Sequence, residues 1–440
     1  MYKIFFITFG CKVNQYETEC MRSNFLANGF SETDSPEKAD VIVVNSCTVT
    51  ASGDGKSLYS VRKLRKTNPE AVIVLTGCLP QASPQTAEKI IEADIVTGTK
   101  ERNGLPQLVL DFLNERKRII SIAQYGSSDE FEESFYGDFK SRTRAFVKIQ
   151  DGCNQFCSYC IIPYARGRCR SKPIDVLRNE IKALAEAGHR EIVLVGINLA
   201  FYGKEFGLRL ADAVEECCKI DGIERVRLGS LEPEVITNED LVRLSRLPQF
   251  CPQFHLSLQS GCERTLKRMH RHYTPDEYFD LVSKIRYVFP DASITTDVMV
   301  GFPQESEEEF CESMKFVEKV GFAKIHVFQY SPRNGTIAAE MPQISAAVKA
   351  ERADRMKALG NRLHEDYLKK QIGKTVPVLF ERENSDEFHQ GYAPDYTLIK
   401  ISRKNPEKSL RNQIFYVIIE KSGQDHCFGR ISDTLESLIF

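Results

Sequence analysis

Three closely spaced cysteines carry the most distinctive chemistry in this chain. Cys153, Cys157 and Cys160 fall in Gln150-Asp151-Gly152-Cys153-Asn154-Gln155-Phe156-Cys157-Ser158-Tyr159-Cys160, a C-x3-C-x2-C spacing. Soft thiolates select iron–sulfur clusters or zinc. Three of them hold three corners of a cubane and leave the fourth iron open, free to chelate an amino and a carboxylate group. Structural zinc wants four ligands, usually as two C-x2-4-C pairs. Cys169 is the available fourth ligand for that plainer alternative. The spacing favours the open cluster.

A second set is scattered in sequence but regular in context. Cys11, Cys47 and Cys78 each follow an apolar run: Phe9-Gly10-Cys11, Asn45-Ser46-Cys47 and Thr76-Gly77-Cys78. If those runs are parallel strands, all three thiols lie at the carboxyl edge of one sheet, where open α/β sheets gather ligands. They are expected to converge on one metal site. A ferredoxin-like carrier would need a fourth cysteine to close its cluster, so three suggest a second open cluster that handles sulfur.

The elements that must position these residues follow from periodicity. Ile4–Phe9, Val41–Val44 and Ala71–Leu75 are β-rich runs separated by charged helical segments, which predicts a Rossmann-like parallel sheet over residues 1–125. Residues 126–140, rich in Ser, Asp, Glu and Gly, read as a linker. Six further strands are expected at Ala145–Gln150, Glu191–Val195, Arg225–Leu228, Gln253–Leu258, Ser293–Val300 and Lys324–Tyr330. Helical patterns such as Pro173–Ala187, Pro275–Phe289 and Glu307–Val320 alternate with them, giving a partial (β/α)6 barrel over 141–371. A long charged helix, Ala346–Lys370, closes it. From Gly373 the pattern changes to short strands at Val376–Phe380, Tyr396–Ile401, Phe415–Glu420 and Cys427–Ile431. Residues 372–440 are therefore expected to form a small antiparallel barrel of the kind that binds oligonucleotides. The fold class is α/β with this β-barrel tail.

Bulk properties limit the rest. The 440 residues are 42% hydrophobic and 27% charged, as in soluble globular proteins. No apolar run approaches the roughly 18–20 residues of a membrane helix, and the amino terminus does not resemble a signal peptide, so a cytoplasmic location without membrane contact is expected. Fourteen cysteines in such a chain suggest metal ligands and buried small hydrophobes rather than disulfides. Cys217, Cys218, Cys251, Cys262 and Cys311 are assigned to the core. The net charge of −2 leaves nucleic-acid binding to local patches. Candidates are Tyr164 to Lys172, which contains Arg166, Arg168 and Arg170, and the runs Arg62–Lys66 and Arg268–His272.

Several stretches resemble the methylthiotransferases of the radical S-adenosylmethionine superfamily over essentially the whole chain. They are Gly10-Cys11-Lys12-Val13-Asn14-Gln15-Tyr16-Glu17, the Ile149–Cys157 stretch, Pro163-Tyr164-Ala165-Arg166-Gly167-Arg168, Leu228-Gly229-Ser230-Leu231-Glu232-Pro233 and Leu256-Ser257-Leu258-Gln259-Ser260-Gly261-Cys262. The isopentenyladenosine members usually carry Gln-Met-Asn after the first cysteine and the ribosomal-protein members Pro-Lys-Asn. This chain has Lys12-Val13-Asn14 and is most similar to members acting on N6-threonylcarbamoyladenosine in tRNA. Departures are Gln304 where glycine is usual, Ala200-Phe201 for a glycine-containing pair, and Asp395-Tyr396 for Asn-Tyr.

The resemblance implies two 4Fe-4S clusters, one on Cys153, Cys157 and Cys160 and an auxiliary one on Cys11, Cys47 and Cys78. It implies two S-adenosylmethionine molecules per turnover: one cleaved to a 5′-deoxyadenosyl radical that attacks carbon 2 of the adenine beside the anticodon, one donating a methyl group. It also implies a flavodoxin- or ferredoxin-like electron donor and a TRAM RNA-binding tail. Tyr159, Gly196, Asn198, Gln259, Asp297 and Gly301 are the positions carried over to S-adenosylmethionine, and Arg166, Arg168 and Arg170 those for RNA. The competing readings are a sister enzyme acting on isopentenyladenosine tRNA or a ribosomal-protein aspartate, and a non-catalytic, metal-stabilised RNA-binding protein.

Overall fold

The computed structural model describes residues 1–126, 128–134, 143–382, 386–403 and 409–432. The remaining parts of the expected linker and tail lie outside the described residues.

Six strands, β1 (Lys3–Thr8), β2 (Ser31–Glu32), β3 (Val41–Ser46), β4 (Val72–Gly77), β5 (Ile95–Thr97) and β6 (Ile119–Ser121), form one sheet in the order β2-β1-β3-β4-β5-β6. All neighbours pair in parallel. β3 and β4 are buried at every residue, because helices cover both faces and each face carries its own apolar layer. β2, β5 and β6 are too short to stand out in the sequence.

β7 (Arg144–Asp151), β8 (Arg170–Ser171), β9 (Glu191–Gly196), β10 (Arg225–Leu228), β11 (Ser230–Leu231), β12 (Gln253–Leu256), β13 (Ser293–Val300) and β14 (Lys324–Gln329) build the middle of the molecule. Their sheets run β10-β9-β7-β8 and β11-β12-β13-β14, joined by a parallel bridge between Val226 and Phe250. Leaving aside the two-residue β8 and β11, this is the six-stranded partial barrel with its strands parallel. Its helices begin where the sequence signals them. Thr274 caps the helix Pro275–Val288 with Glu277 completing a capping box, and Ser306 with Glu309 does the same for Glu307–Val320. No helix among the described residues is long and apolar enough to cross a membrane.

The tail closes as a barrel, β15 (Thr375–Phe380), β16 (Phe388–Tyr392), β17 (Leu398–Ser402), β19 (Cys427–Ile431) and β18 (Ile414–Ser422), in that order around the ring. It is antiparallel except between β17 and β19, which pair in parallel. That exception, and β16, were not expected from the sequence. The tail covers the amino ends of the central strands. Arg225 donates to the carbonyls of Tyr392 and Pro377, Arg227 to those of Pro394 and Ala393, and Arg144 pairs with Glu381.

The first helix, Lys12–Ala27, belongs to both neighbours. Met21 and Phe25 enter the core under the first sheet, whereas Val13, Tyr16 and Cys20 enter the barrel's core. The Tyr16 hydroxyl donates to Glu180 at 3.0 Å. The described part of the expected linker is also docked, with Phe131 buried against the Lys148 and Lys172 side chains.

Of the five cysteines assigned to the core, Cys217, Cys251 and Cys262 are buried and Cys218 packs partly buried against the barrel core. Cys311 is an exception. It is half-buried between Glu307 and Arg355, because its helix turns that face to the charged surface.

Candidate functional site

The loop after β7 presents Cys153, Cys157 and Cys160 at the carboxyl ends of the barrel strands. Gly152 makes its turn at φ +70°, and a Cβ there would lie 2.0 Å from the Arg168 carbonyl oxygen, so only glycine fits. The Cys153 amide donates to Gly167 O at 3.1 Å, tying the loop to the segment that follows it. The Cys153 sulfur accepts from Gln155 N at 3.5 Å and Asn198 Nδ2 at 3.6 Å. The Cys157 sulfur accepts from Arg271 Nη1 at 3.4 Å, and Arg271 is itself paired with Glu232. Burial pushes the Cys153 thiol up to about 11 and the Cys160 thiol up to about 12.

The positions carried over to S-adenosylmethionine divide. Tyr159, in the cluster loop, is packed edge-on to Phe302. Asn198 follows β9, its amide donating to Gln150 Oε1 at 2.6 Å and its buried Oδ1 left without a partner. Gly196 pairs with Gln150 beside it. Gln259, at φ +62°, is bridged to the end of β13 through Asp297 O and Met299 N. Gly301 does not offer an open approach: a Cβ there would meet Lys349 Cγ at 2.4 Å, because the helix Ala346–Lys369 fills that space. The Asp297 side chain points into the barrel lumen, 3.3 Å from His255 Nε2. Gln304 adopts φ +61°, which explains why glycine suits its position.

The parallel sheet brings the three scattered cysteines together. Cys11 lies past β1, Cys47 past β3 and Cys78 past β4, on three adjacent strands. Gly10 turns at φ +101°, where a Cβ would come within 3.0 Å of Cys47 Sγ. Asn14 locks the set. Its Nδ2 donates to the carbonyls of Phe9 and Ser46, and its Oδ1 lies 3.8 Å from Cys11 Sγ and 4.0 Å from Cys78 Sγ. Burial pushes the Cys78 thiol up to about 11 and raises Cys47.

A buried charge network joins the two cysteine sites, and Arg166 is its centre. Its side chain is fully buried and donates to Asn14 Oδ1 at 2.7 Å, Glu17 Oε2 at 2.9 Å and Cys78 Sγ at 3.3 Å. Lys148 Nζ lies 3.0 Å from both Glu17 and Asp151, Arg102 lies 3.1 Å from Glu17, and Arg170 lies 3.2 Å from Asp151. Arg166 and Arg170, expected to contact RNA, are therefore internal; guanidiniums committed to buried carboxylates cannot reach a phosphate. Arg168 is exposed instead, 5.8 Å from the ring of Phe156, which itself meets Tyr164 edge-on. Those rings are 37% and 56% exposed. In the two other basic runs the arginines are paired, Arg62 with Glu92, Arg65 with Asp94, Arg268 with Glu309 and Arg271 with Glu232, while Lys63 and Lys66 are exposed. Arg271, singled out only as part of a basic run, belongs to the cluster loop.

The network sets a pH dependence. Burial would raise the Glu17 carboxyl, but Arg102, Arg166 and Lys148 outweigh burial and lower it to about 2. A depressed carboxylate contributes stability that is present above its ordinary value near 4.5 and is lost as pH falls towards 2. The contribution is about 3 kcal/mol. Between pH 5 and pH 3 the urea midpoint of the wild type, followed by circular dichroism, is expected to fall towards that of Glu17→Gln.

The donor sets fit thiolate-bound clusters. Each site has three thiols and a guanidinium aimed at one sulfur. Arg102, Lys148, Arg166 and Arg170 outnumber Glu17 and Asp151, a buried positive surplus that an anionic cluster offsets. Among the described residues no three His, Cys, Asp or Glu side chains close on a single ion. The cysteines of a cubane bind different irons and need not do so.

Comparison with known proteins places these features in context. Residues 3–98 match the model described as uncharacterized protein family UPF0004, and residues 147–317 match that of the radical SAM superfamily. A Bacillus subtilis protein named threonylcarbamoyladenosine tRNA methylthiotransferase MtaB is 36% identical, with 100% of this chain and 98% of that protein covered. A Caldicellulosiruptor saccharolyticus protein named tRNA-2-methylthio-N(6)-dimethylallyladenosine synthase is 36% identical over 85% of this chain and 81% of its own length. A radical S-adenosylmethionine methyltransferase from Kitasatospora setae, solved with cobalamin and a [4Fe-4S] cluster, shares the fold at TM-score 0.56 and 14% identity, covering 80% of this chain and 84% of that one.

Proposed function

This chain belongs to the methylthiotransferase family of radical S-adenosylmethionine enzymes, and from that premise we propose that it inserts a methylthio group at carbon 2 of N6-threonylcarbamoyladenosine, next to the anticodon of tRNA. The observation that carries this reading is the pair of three-cysteine sites joined by one buried network, with Arg166 donating to a sulfur of the auxiliary site while paired with Glu17 on the helix after Cys11 and with Asp151 just before Cys153. Near full-length similarity to the Bacillus subtilis protein favours the threonylcarbamoyl substrate over the dimethylallyl one.

Cys153, Cys157 and Cys160 would hold one 4Fe-4S cluster, and Cys11, Cys47 and Cys78 the other. When bound, the first cluster and S-adenosylmethionine would supply the 5′-deoxyadenosyl radical that takes the hydrogen from carbon 2, and the second cluster would supply the sulfur that replaces it. The chain's own residues position and shield that chemistry. Asn198 and Arg271 orient sulfurs of the first site, while Asn14 and Arg166 orient those of the second. Tyr159, Gly196, Asn198 and Gln259 bound the space for the nucleoside. Arg168 with Phe156 and Tyr164 offers a cation and two exposed rings, the groups that hold unstacked bases of a single-stranded loop. In this reading residues 1–125 carry the sulfur site, 141–371 the radical site and 372–440 bind RNA. A flavodoxin- or ferredoxin-like protein of the cytoplasm delivers the electron.

Nucleosides from tRNA of a deletion strain, analysed by mass spectrometry, test the reading. Loss of the methylthio form of threonylcarbamoyladenosine is expected. Its persistence, with loss of the methylthio form of isopentenyladenosine, would instead assign the sister activity.

A further inference from the structure

The barrel lumen holds a cavity of about 570 Å³ between the central strands and the tail, within the size range of small-ligand sites. Inward-facing side chains of β12, β13 and β14 line it, among them His255, Asp297 and His326, and Tyr396 of the tail closes the far side. Lys12 also enters this lumen, although it belongs to the first sheet's helix. It follows Cys11 directly, so its ammonium and a sulfur of the auxiliary site arise from adjacent residues.

Lys12 is the odd charge in this cavity. Among the described residues its ammonium has no hydrogen bond and no carboxylate within ion-pair distance. Its nearest ring is Tyr396, at 5.7 Å. The carboxylates around the lumen are already engaged: Asp297 by His255, Asp395 by Tyr367 and Thr397, Asp425 by His426 and Glu191 by Arg227. The guanidiniums nearest the lumen, unlike Lys12, each have a carboxylate partner. Arg144 is paired with Glu381, and Arg227 with Glu191 and two carbonyls. An ammonium taken from water without a partner costs free energy that only an anionic ligand group offsets.

We propose that Lys12 is a specificity-determining residue that receives the carboxylate of the threonylcarbamoyl arm, seating the modified base in the lumen beside the auxiliary cysteines. This deepens the functional reading above and rests on it. A backbone phosphate shares the anionic chemistry, and the test separates the two sources. It compares kcat/KM for an anticodon stem-loop carrying N6-threonylcarbamoyladenosine with kcat/KM for the same RNA bearing the methyl ester of that arm, which removes the charge and keeps the shape.

For the wild type the acid is expected to be favoured by roughly tenfold or more, the worth of a charge-assisted hydrogen bond. Lys12→Gln is expected to bring the ratio near one, and Lys12→Arg to keep most of it. The ratio is internal to each protein, so reduced iron content does not imitate the effect. Equal losses on both RNAs in Lys12→Gln, with the ratio unchanged, would assign a phosphate and overturn the proposal. A wild-type ratio near one would overturn it as well, even where a variant fails to fold. A wild type inactive on the acid but active on isopentenyladenosine RNA would overturn the functional reading itself.

Discussion

Cys157→Ala is expected to reduce formation of 5′-deoxyadenosine to background under anaerobic, reducing conditions, measured by chromatography of the quenched reaction. An open cubane needs all three thiolates, and the remaining nearby thiol, Cys169, lies beside Cys153 and Gly152 rather than in the place of Cys157. Its sulfur is the one that Arg271 contacts, and Arg271 is fixed by Glu232. The matching variant has Cys11, Cys47 and Cys78 all replaced by alanine. It is expected to retain most of that cleavage and to make no methylthiolated nucleoside, because its site lies on the other sheet. If the triple variant still modified tRNA, the division of labour between the sites would be wrong. If it lost cleavage as well, the shared network would be the cause to examine, through Asn14 and Arg166.

Glu17→Gln is expected to be among the most damaging single changes outside the cysteines. It removes the carboxylate paired with Arg102 and one of the two paired with Lys148 and Arg166, and leaves those cations buried against each other. Breaking a buried pair in this way costs about 3–5 kcal/mol. Urea denaturation followed by circular dichroism measures it, a suitable probe since the chain has no tryptophan. Adding Arg102→Met to Glu17→Gln is expected to regain part of the loss, because it restores the balance of charge. A double variant no more stable than Glu17→Gln would show that hydrogen bonding, not charge, dominates at this site.

Much of this architecture was legible in the chain. β3 and β4 are continuous apolar runs because parallel strands are buried on both faces. Helix starts were legible at Thr274 and Ser306 because caps are local. β2, β5 and β6 were not, since two or three residues carry too little pattern, and β16 was not, since Phe388-His389-Gln390-Gly391-Tyr392 has no β-branched residue and a central polar pair. The parallel pairing of β17 with β19 was also hidden, because closure of the tail barrel links segments distant in sequence.

The sequence by itself determined the six cysteines, their placement after strands and hence the class of chemistry. Those features are local: a spacing within one loop, or a residue just past an apolar run. Only the tertiary structure decided what the charged residues do. Arg166 looks like an RNA contact in its own segment, yet its partner Glu17 lies 149 residues away. Lys12 looks like an ordinary helix-start lysine, yet it enters a lumen built by other parts of the chain. A side chain's charge is written in its own residue, but whether that charge is solvated, paired or left waiting depends on groups that only folding brings near.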